Sequence, residues 1–241
     1  MSCIPLGNSF MNAELRRGAA ENVKIPIHAE GWPFIVLAAV INAAAAVFSP
    51  WAGLLLLPVT LWCIAFFRDP ERNAPSGPGL VICPADGKLL PIQDVPPPEE
   101  LEMGPKPRQR LSIFMDIFNV HVNRVPADGV VAALAYRPGK FFNASFDKAR
   151  VYNERMAVRL SLGGEAGEPH RELAVVQIAG LVARRIHCGL KKGQRVCRGD
   201  RFGIIRFGSR VDVYLPADAR VRVRAGQTVR AGETVLADFP S

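Results

Sequence analysis

From Trp32 to Phe67 the chain carries no charged residue. Two apolar blocks, Pro33–Phe48 and Trp51–Phe67, flank Ser49-Pro50. Proline at that point favours a turn, so residues 32–67 predict a hydrophobic helical hairpin. A single spanning helix takes about 20 apolar residues. Each block is slightly shorter, which leaves a spanning hairpin and a shallow re-entrant one both open. The bland third reading is a buried hairpin of a soluble protein. Trp32, Trp51 and Trp62 lie near block ends, where interfacial tryptophans are expected. Arg16, Arg17 and Lys24 precede the segment, and Arg68 and Arg72 follow it, a pattern that predicts both ends in the cytoplasm.

Beyond Phe67 the period changes. RDPERNAPSGPG is charged and rich in Pro and Gly, the composition of a linker. Short runs of Val, Ile, Leu and Phe at period two then follow: LVICPADGKLLPIQDV, RLSIFMDIFNVHVNRVPADGVVAALAY, ELAVVQIAGLVARRI, RFGIIRFGSRVDVYLPADARVRVRAG and ETVLADF. Bounded by Asp-Gly, Pro and Gly, they predict strands and tight turns. One helical stretch is expected near Phe142–Arg155, and PPPEELEMGPKPRQR and GGEAGEPHRE read as polar loops. Pro-Ala-Asp recurs at Pro84–Asp86, Pro126–Asp128 and Pro216–Asp218, twice followed by Gly, which accepts a positive φ in a tight turn. The closing VRVRAGQTVRAGETVL resembles the strand–turn pattern of lipoyl- and biotinyl-carrier folds. The expectation is a mainly β protein: a lipoyl/biotinyl-carrier-like β-sandwich or barrel hybrid with an N-terminal hydrophobic helical hairpin. Its parts are a polar, amphipathic segment 1–31, the hairpin 32–67 and a β-rich body 68–241.

Composition narrows the class only a little. With 49% hydrophobic and 22% charged residues, the chain is neither a disordered tail nor wholly embedded in a bilayer. A net charge of +8 suits nucleic acid, anionic lipid or an acidic substrate about equally. The arginines are not interleaved with aromatics in a recognisable module, which argues against a nucleic-acid partner. Cys3, Cys63, Cys83, Cys188 and Cys197 are odd in number and lack C-x-x-C spacing. They argue against a disulfide framework and a structural zinc site, and predict reduced thiols, with Cys63 facing lipid or a neighbouring helix. Glu14, Arg16, Arg17, Glu21 and Lys24 leave no apolar core for a cleavable signal peptide.

Candidate chemistry begins with Gly208-Ser209, which interrupts two strand-like runs. Read alone, the pair is a β-bulge or turn. Yet glycine lets the backbone bend until the serine hydroxyl approaches the preceding carbonyl, where attack would exchange the peptide bond for an ester. β-Elimination would then leave dehydroalanine, which hydrolyses to a pyruvoyl cap and ammonia. In Asn119-Val120-His121-Val122-Asn123, strand alternation places Asn119, His121 and Asn123 on one face. His28, His170 and His187 are dispersed, so no metal site is expected. Asp86 and Asp128 both read as turn aspartates, and nothing intrinsic separates them. Arg137, Arg150, Arg155, Arg184, Arg185, Arg206 and Arg210 include candidates for carboxylate or phosphate ligands.

Together, IPIHAEGWPFI, FFRDPER, CPADGK, FMDIFNVHVNRVPADGVV, GKFFNASFDKARVYNER, VQIAGLVARRI and RFGIIRFGSRVDVYLP resemble the short, bacterial-type phosphatidylserine decarboxylases from about Ile25 onward. The last of them matches that family's processing motif. The resemblance implies a proenzyme that breaks itself between Gly208 and Ser209. Its products would be a β chain of residues 1–208 and an α chain of residues 209–241, with a pyruvoyl group made from Ser209 at the new N-terminus. The family's essential aspartate falls on Asp86, and the first histidine of its catalytic segment on His121. Longer members carry a second histidine three residues on, implicated in self-cleavage, where this chain has Arg124. The base that activates Ser209 is thus left open, with His121 available for both steps.

By the same resemblance the pyruvoyl carbonyl forms a Schiff base with the serine amine of phosphatidylserine and takes up the electron pair as carbon dioxide leaves. His121 returns a proton, and phosphatidylethanolamine is released. No pyridoxal phosphate and no metal is called for. Substrate contacts are expected from Asn119, Asn123, Arg124 and Arg206. The expected setting is an anionic membrane surface, the cell (inner) membrane with the catalytic body on the cytoplasmic side, a homo-oligomer being left open. A rival is a membrane-tethered, lipoyl-like adaptor or carrier, but Lys88 after the Asp-Gly turn lacks the flanking methionine of a modified lysine. Another pyruvoyl enzyme acting on a soluble amino acid would have no use for the hairpin.

Overall fold

The computed structural model describes residues 26–139, 144, 152–163, 170–180, 185–206 and 208–239. The helical stretch expected near Phe142–Arg155 lies almost wholly outside the described residues, and Arg155 itself opens a strand.

Two helices form the hairpin, α1 (Trp32–Phe48) and α2 (Pro50–Phe66), joined at an extended Ser49. Pro33 and Pro50 sit in first turns, where a missing N–H leaves no helical bond unmade. The helices approach closely at Gly53, where a Cβ would collide with Ala46. The Asn42 amide donates to Thr60 Oγ1 at 3.2 Å, so two polar side chains on apolar helices satisfy each other. With the 3₁₀ turn before it, α1 makes a 20-residue apolar helix, Ala29–Phe48, long and apolar enough to cross a membrane. The hairpin closes at its foot. His28 N–H donates to the Phe67 carbonyl at 2.9 Å and Asp69 N–H to that of Pro26 at 2.7 Å. Both chain ends therefore leave on the same side.

The body is antiparallel β. A nine-stranded sheet runs β10 (Arg195–Val196), β6 (Gly129–Arg137), β7 (Arg155–Leu162), β8 (Arg171–Ala179), β12 (Ser209–Tyr214), β4 (Arg108–Met115), β2 (Gly87–Leu89), β14 (Thr228–Val229), with β3 (Gln93–Val95) also on β4. Two three-stranded sheets accompany it: β1 (Leu80–Ile82), β15 (Val235–Asp238), β13 (Arg220–Val221), and β5 (Val122–Arg124), β11 (Arg201–Ile205), β9 (Ile186–Cys188). One apolar core draws on all three sheets, with Val81, Ile113, Val175, Ile205, Val211 and Leu236 among its members. The opposite face of the large sheet is covered by Leu101 and Met103, which pack on Ala174, Val176, Ile178 and Tyr214.

The mainly β class with its N-terminal hairpin is as the sequence predicts. Strand β7 was not foreseen. MAVRLSL does alternate, with Met156, Val158, Leu160 and Leu162 apolar and the half-buried Arg159 and Ser161 between them, but it begins where the expected helical stretch ends. The Pro-Ala-Asp turns do precede strands, opening β2, β6 and β13. The first two are built alike. Asp86 Oδ1 accepts from Ala231 N–H at 2.7 Å, and Asp128 Oδ1 from Arg198 N–H at 2.8 Å. Gly232 N–H meets the Cys83 carbonyl, and Gly199 N–H that of Val125, each at 2.8 Å.

Candidate active site

Ser209 is the first residue of β12, between Met115 on β4 and Ala179 on β8. Directly paired residues of antiparallel strands share a face, so Ser209 points into the main core with Met115, Ala179, Val211 and Gln177. It is fully buried, and among the described residues its hydroxyl has no hydrogen-bond partner. A buried hydroxyl left unpaired costs stability, so it marks either a strained or a functional position. The residue before it, Gly208, has φ +58°, a left-handed conformation that a side chain disfavours. Gly180, one residue beyond β8, backs this peptide. A Cβ there would fall on the Gly208 carbonyl oxygen, with Ala144 Cβ at 3.5 Å.

His121 lies just before β5. Since β5 pairs with β11 as Val122–Ile204 and Asn123–Gly203, His121 stands abreast of the end of β11, from which the chain reaches Ser209. The imidazole is fully buried, stacked on Phe66 of α2 with centroids 4.2 Å apart. Nδ1 lies 3.0 Å from the Asn119 carbonyl, which assigns the N–H to Nδ1 and the lone pair to Nε2, an atom with no partner among the described residues. Burial lowers its pKa to about 4, with the Asn119 carbonyl and Asp116 opposing. Near neutral pH it is an uncharged base.

The predicted common face of Asn119, His121 and Asn123 needs correction. Asn119 is in a turn, where its Oδ1 accepts from Asp116 N–H at 2.9 Å. Asn123 is in β5, fully buried, with Oδ1 accepting from Gln177 Nε2 at 2.8 Å and Nδ2 pointing at Met115 Sδ at 3.8 Å. Met115 is the cross-strand neighbour of Ser209, so this contact lays the His121–Arg124 segment over the end of the sheet that carries the serine.

Four of the arginines are engaged. Arg124 donates to the carbonyls of Gly199 at 2.8 Å and Pro70 at 2.9 Å, and stands 3.5 Å from Asp69. Arg206 pairs with Glu30 and covers the Phe34 ring at 5.1 Å, at the foot of the hairpin. Arg155 is bidentate to Glu100, and Arg210 to Asp212. Arg150 and Arg184 lie outside the described residues. Asp86 and Asp128, alike in sequence and in their backbone bond, part company in their surroundings. Asp128 is exposed, whereas Asp86 is buried and takes a second bond, 2.9 Å, from Arg72. Gln177, Gly180 and Phe66 are not site candidates on sequence grounds, and Arg72 figures there only as a charge flanking the hairpin. The one available signal was Gln177, a polar residue inside an apolar strand run.

The fold and the site define a mainly β enzyme whose candidate reactive groups, Ser209 and His121, are buried at the foot of an apolar hairpin. Comparison with known proteins supplies the particulars. The phosphatidylserine decarboxylase family profile matches residues 59–237. A phosphatidylserine decarboxylase proenzyme of Paramagnetospirillum magneticum is 55% identical over 219 residues, 90% of this chain and 88% of the relative. One from Rickettsia bellii is 52% identical over 213 residues, 88% of this chain and 90% of the relative. The chain belongs to the phosphatidylserine decarboxylase family and is a decarboxylase. The carrier alternative is not favoured.

Proposed function

We propose that this chain is a proenzyme that cuts itself between Gly208 and Ser209 and then converts phosphatidylserine to phosphatidylethanolamine at a membrane surface. The observation that carries the reading is the junction itself: a buried serine whose hydroxyl is unpartnered among the described residues, directly after a left-handed glycine. His121 Nε2 takes the hydroxyl proton as Ser209 Oγ bonds to the Gly208 carbonyl carbon. The peptide C–N bond breaks, and the proton passes to the Ser209 nitrogen. Loss of the Ser209 Cα proton expels the Gly208 carboxylate and leaves dehydroalanine. Its imine tautomer takes up water and releases ammonia, giving an α chain 209–241 with a pyruvoyl terminus and a β chain 1–208.

The surroundings fit such a group, because the cross-strand neighbours of Ser209, Met115 and Ala179, are both apolar. Its carbonyl supplies the electron sink that decarboxylation of an α-amino acid requires. The chain's own residues handle the protons. A neutral His121 can accept a proton from the substrate ammonium and return it to the carbon that has lost carbon dioxide. Asn119 fixes the His121 tautomer, and Asn123 and Gln177 brace the segment from beneath. Arg206, at the hairpin foot, is the residue we assign to the lipid phosphate, in exchange for Glu30. Arg124, tied to the Gly199 and Pro70 carbonyls, and Asp86, tied to Arg72 and Ala231, fix the linker after the hairpin to β5 and to the turn before β2 and act as positioning residues.

In this reading the hairpin anchors the enzyme in the inner membrane, with the body on the cytoplasmic side. The apolar Ala29–Phe48 helix and the arginines that follow α2 support that placement. Intact-mass measurement of the purified chain tests the reading. Two fragments meeting at Gly208-Ser209, the smaller reactive toward hydroxylamine as a ketone, are expected. Ser209→Ala is expected to remain one chain and to form no phosphatidylethanolamine from phosphatidylserine vesicles. Normal processing of that variant would sink the proposal.

A further inference from the structure

We infer that the turn Asp116–Asn119 is a second bilayer contact, seating Ile117 and Phe118 among acyl chains beside the hairpin foot; the inference rests on the membrane reading above. The turn joins β4 to β5 and does not fold its apolar side chains inward. Ile117 is 43% exposed and Phe118 67%. It is also rigidly built. Asp116 Oδ1 accepts from Phe118 N–H at 2.8 Å, and Asn119 Oδ1 accepts from Asp116 N–H at 2.9 Å.

The hairpin holds its two apolar residues by their carbonyls. Trp62 Nε1 donates to Ile117 O at 3.2 Å, and Arg68 Nη2 donates to Phe118 O at 2.7 Å. Arg68 also donates through Nη1 to the Ala65 carbonyl, which fixes it to the last turn of α2. Backbone anchoring of this kind leaves the two side chains free to face outward. A connection that met only water would gain nothing from a bulky apolar pair in that position.

Lipid is the occupant the surroundings favour. Trp62 carries the outward apolar surface of α2, including Leu61 at 56% exposure, directly on to the turn. Tryptophan and arginine are the residues that mark the boundary between acyl chains and headgroups, the one by its amphipathic ring and the other by reaching for the phosphates. His121 stands two residues past Asn119 and stacks on Phe66, so the turn would set the site at headgroup depth. A lipid could then present its headgroup to Ser209 without leaving the bilayer.

The full-length, processed Ile117→Ser/Phe118→Ser variant tests this on two substrates. One is phosphatidylserine in phosphatidylcholine vesicles; the other is dihexanoyl-phosphatidylserine, dissolved as monomers. The KM on vesicles is expected to rise about tenfold, with kcat and turnover of the soluble lipid unchanged. Phe118→Leu is expected to restore the vesicle KM in the Ile117 background. An unchanged vesicle KM in the double variant would overturn the inference. So would an equal loss on both substrates, which would place the pair in the reaction pocket. Failure of the unaltered protein to float with vesicles would instead remove the membrane reading on which the inference stands.

Discussion

Burial against the Phe66 ring holds the His121 pKa at about 4, and an unfolded chain would return it to 6.5. Between those values the unfolded state binds more protons, so folding stability rises with pH through that window and is lost on acidification. The full difference is about 3 kcal/mol. Denaturant titration of the Ser209→Ala precursor from pH 7 down to about 4.5 should show that slope, and adding His121→Gln should flatten it. An identical slope in both would mean that burial of His121 does not set it. Gly180 acts at the same scale. A Cβ there cannot be placed without moving the Gly208 carbonyl, and displacing reacting atoms by about 1 Å costs about 10²-fold in rate. Gly180→Ala should therefore slow self-cleavage by roughly that factor in a gel time course. Gly129→Ala is the control, since its Cβ would strike the Ser161 carbonyl between β6 and β7, away from the junction. Equal slowing by both variants would assign the effect to the fold. Neither glycine's role was legible in the sequence, because a close approach between segments leaves no local mark.

The hairpin is more than an anchor at the scale of elements. Its last residues, Phe66 and Phe67, are buried with Val120, Val122 and Ile204 in a cluster shared by α2, β5 and β11. Hydropathy located the helices to within a residue or two. It could not tell that these two aromatics meet protein, since lipid and a protein core are equally apolar partners. Phe66→Ala should cost about 3 kcal/mol through the cavity it leaves. It should also move the acid-sensitive range of stability upward as water reaches His121. Flotation with vesicles should be unaffected. A variant that kept the original pH range would show that the ring does not shield the imidazole. Strand β7 shows another limit of pattern reading, for its period-two MAVRLSL begins at the end of the stretch expected to be helical, and local pattern fixes such a boundary poorly.

Taken whole, the molecule holds its hairpin to the sheets at the foot, where Phe66 and Phe67 pack with Val120, Val122 and Ile204 and the Arg206–Glu30 pair joins it to the approach of Ser209. The apolar hairpin, the turns and most of the strands that follow, β7 excepted, and the Gly-Ser junction with its candidate histidine are legible in the sequence alone. Hydrophobic period and turn chemistry act over a few residues, and the family motifs are contiguous. Tertiary structure alone decided which residues meet. Ser209 faces Met115 and Ala179, Asn123 bonds Gln177, Gly180 backs the Gly208 carbonyl, and Asp86 rather than Asp128 pairs with Arg72. Each of these depends on strand register and sheet stacking between distant segments, and a one-residue slip would turn every such side chain to the other face.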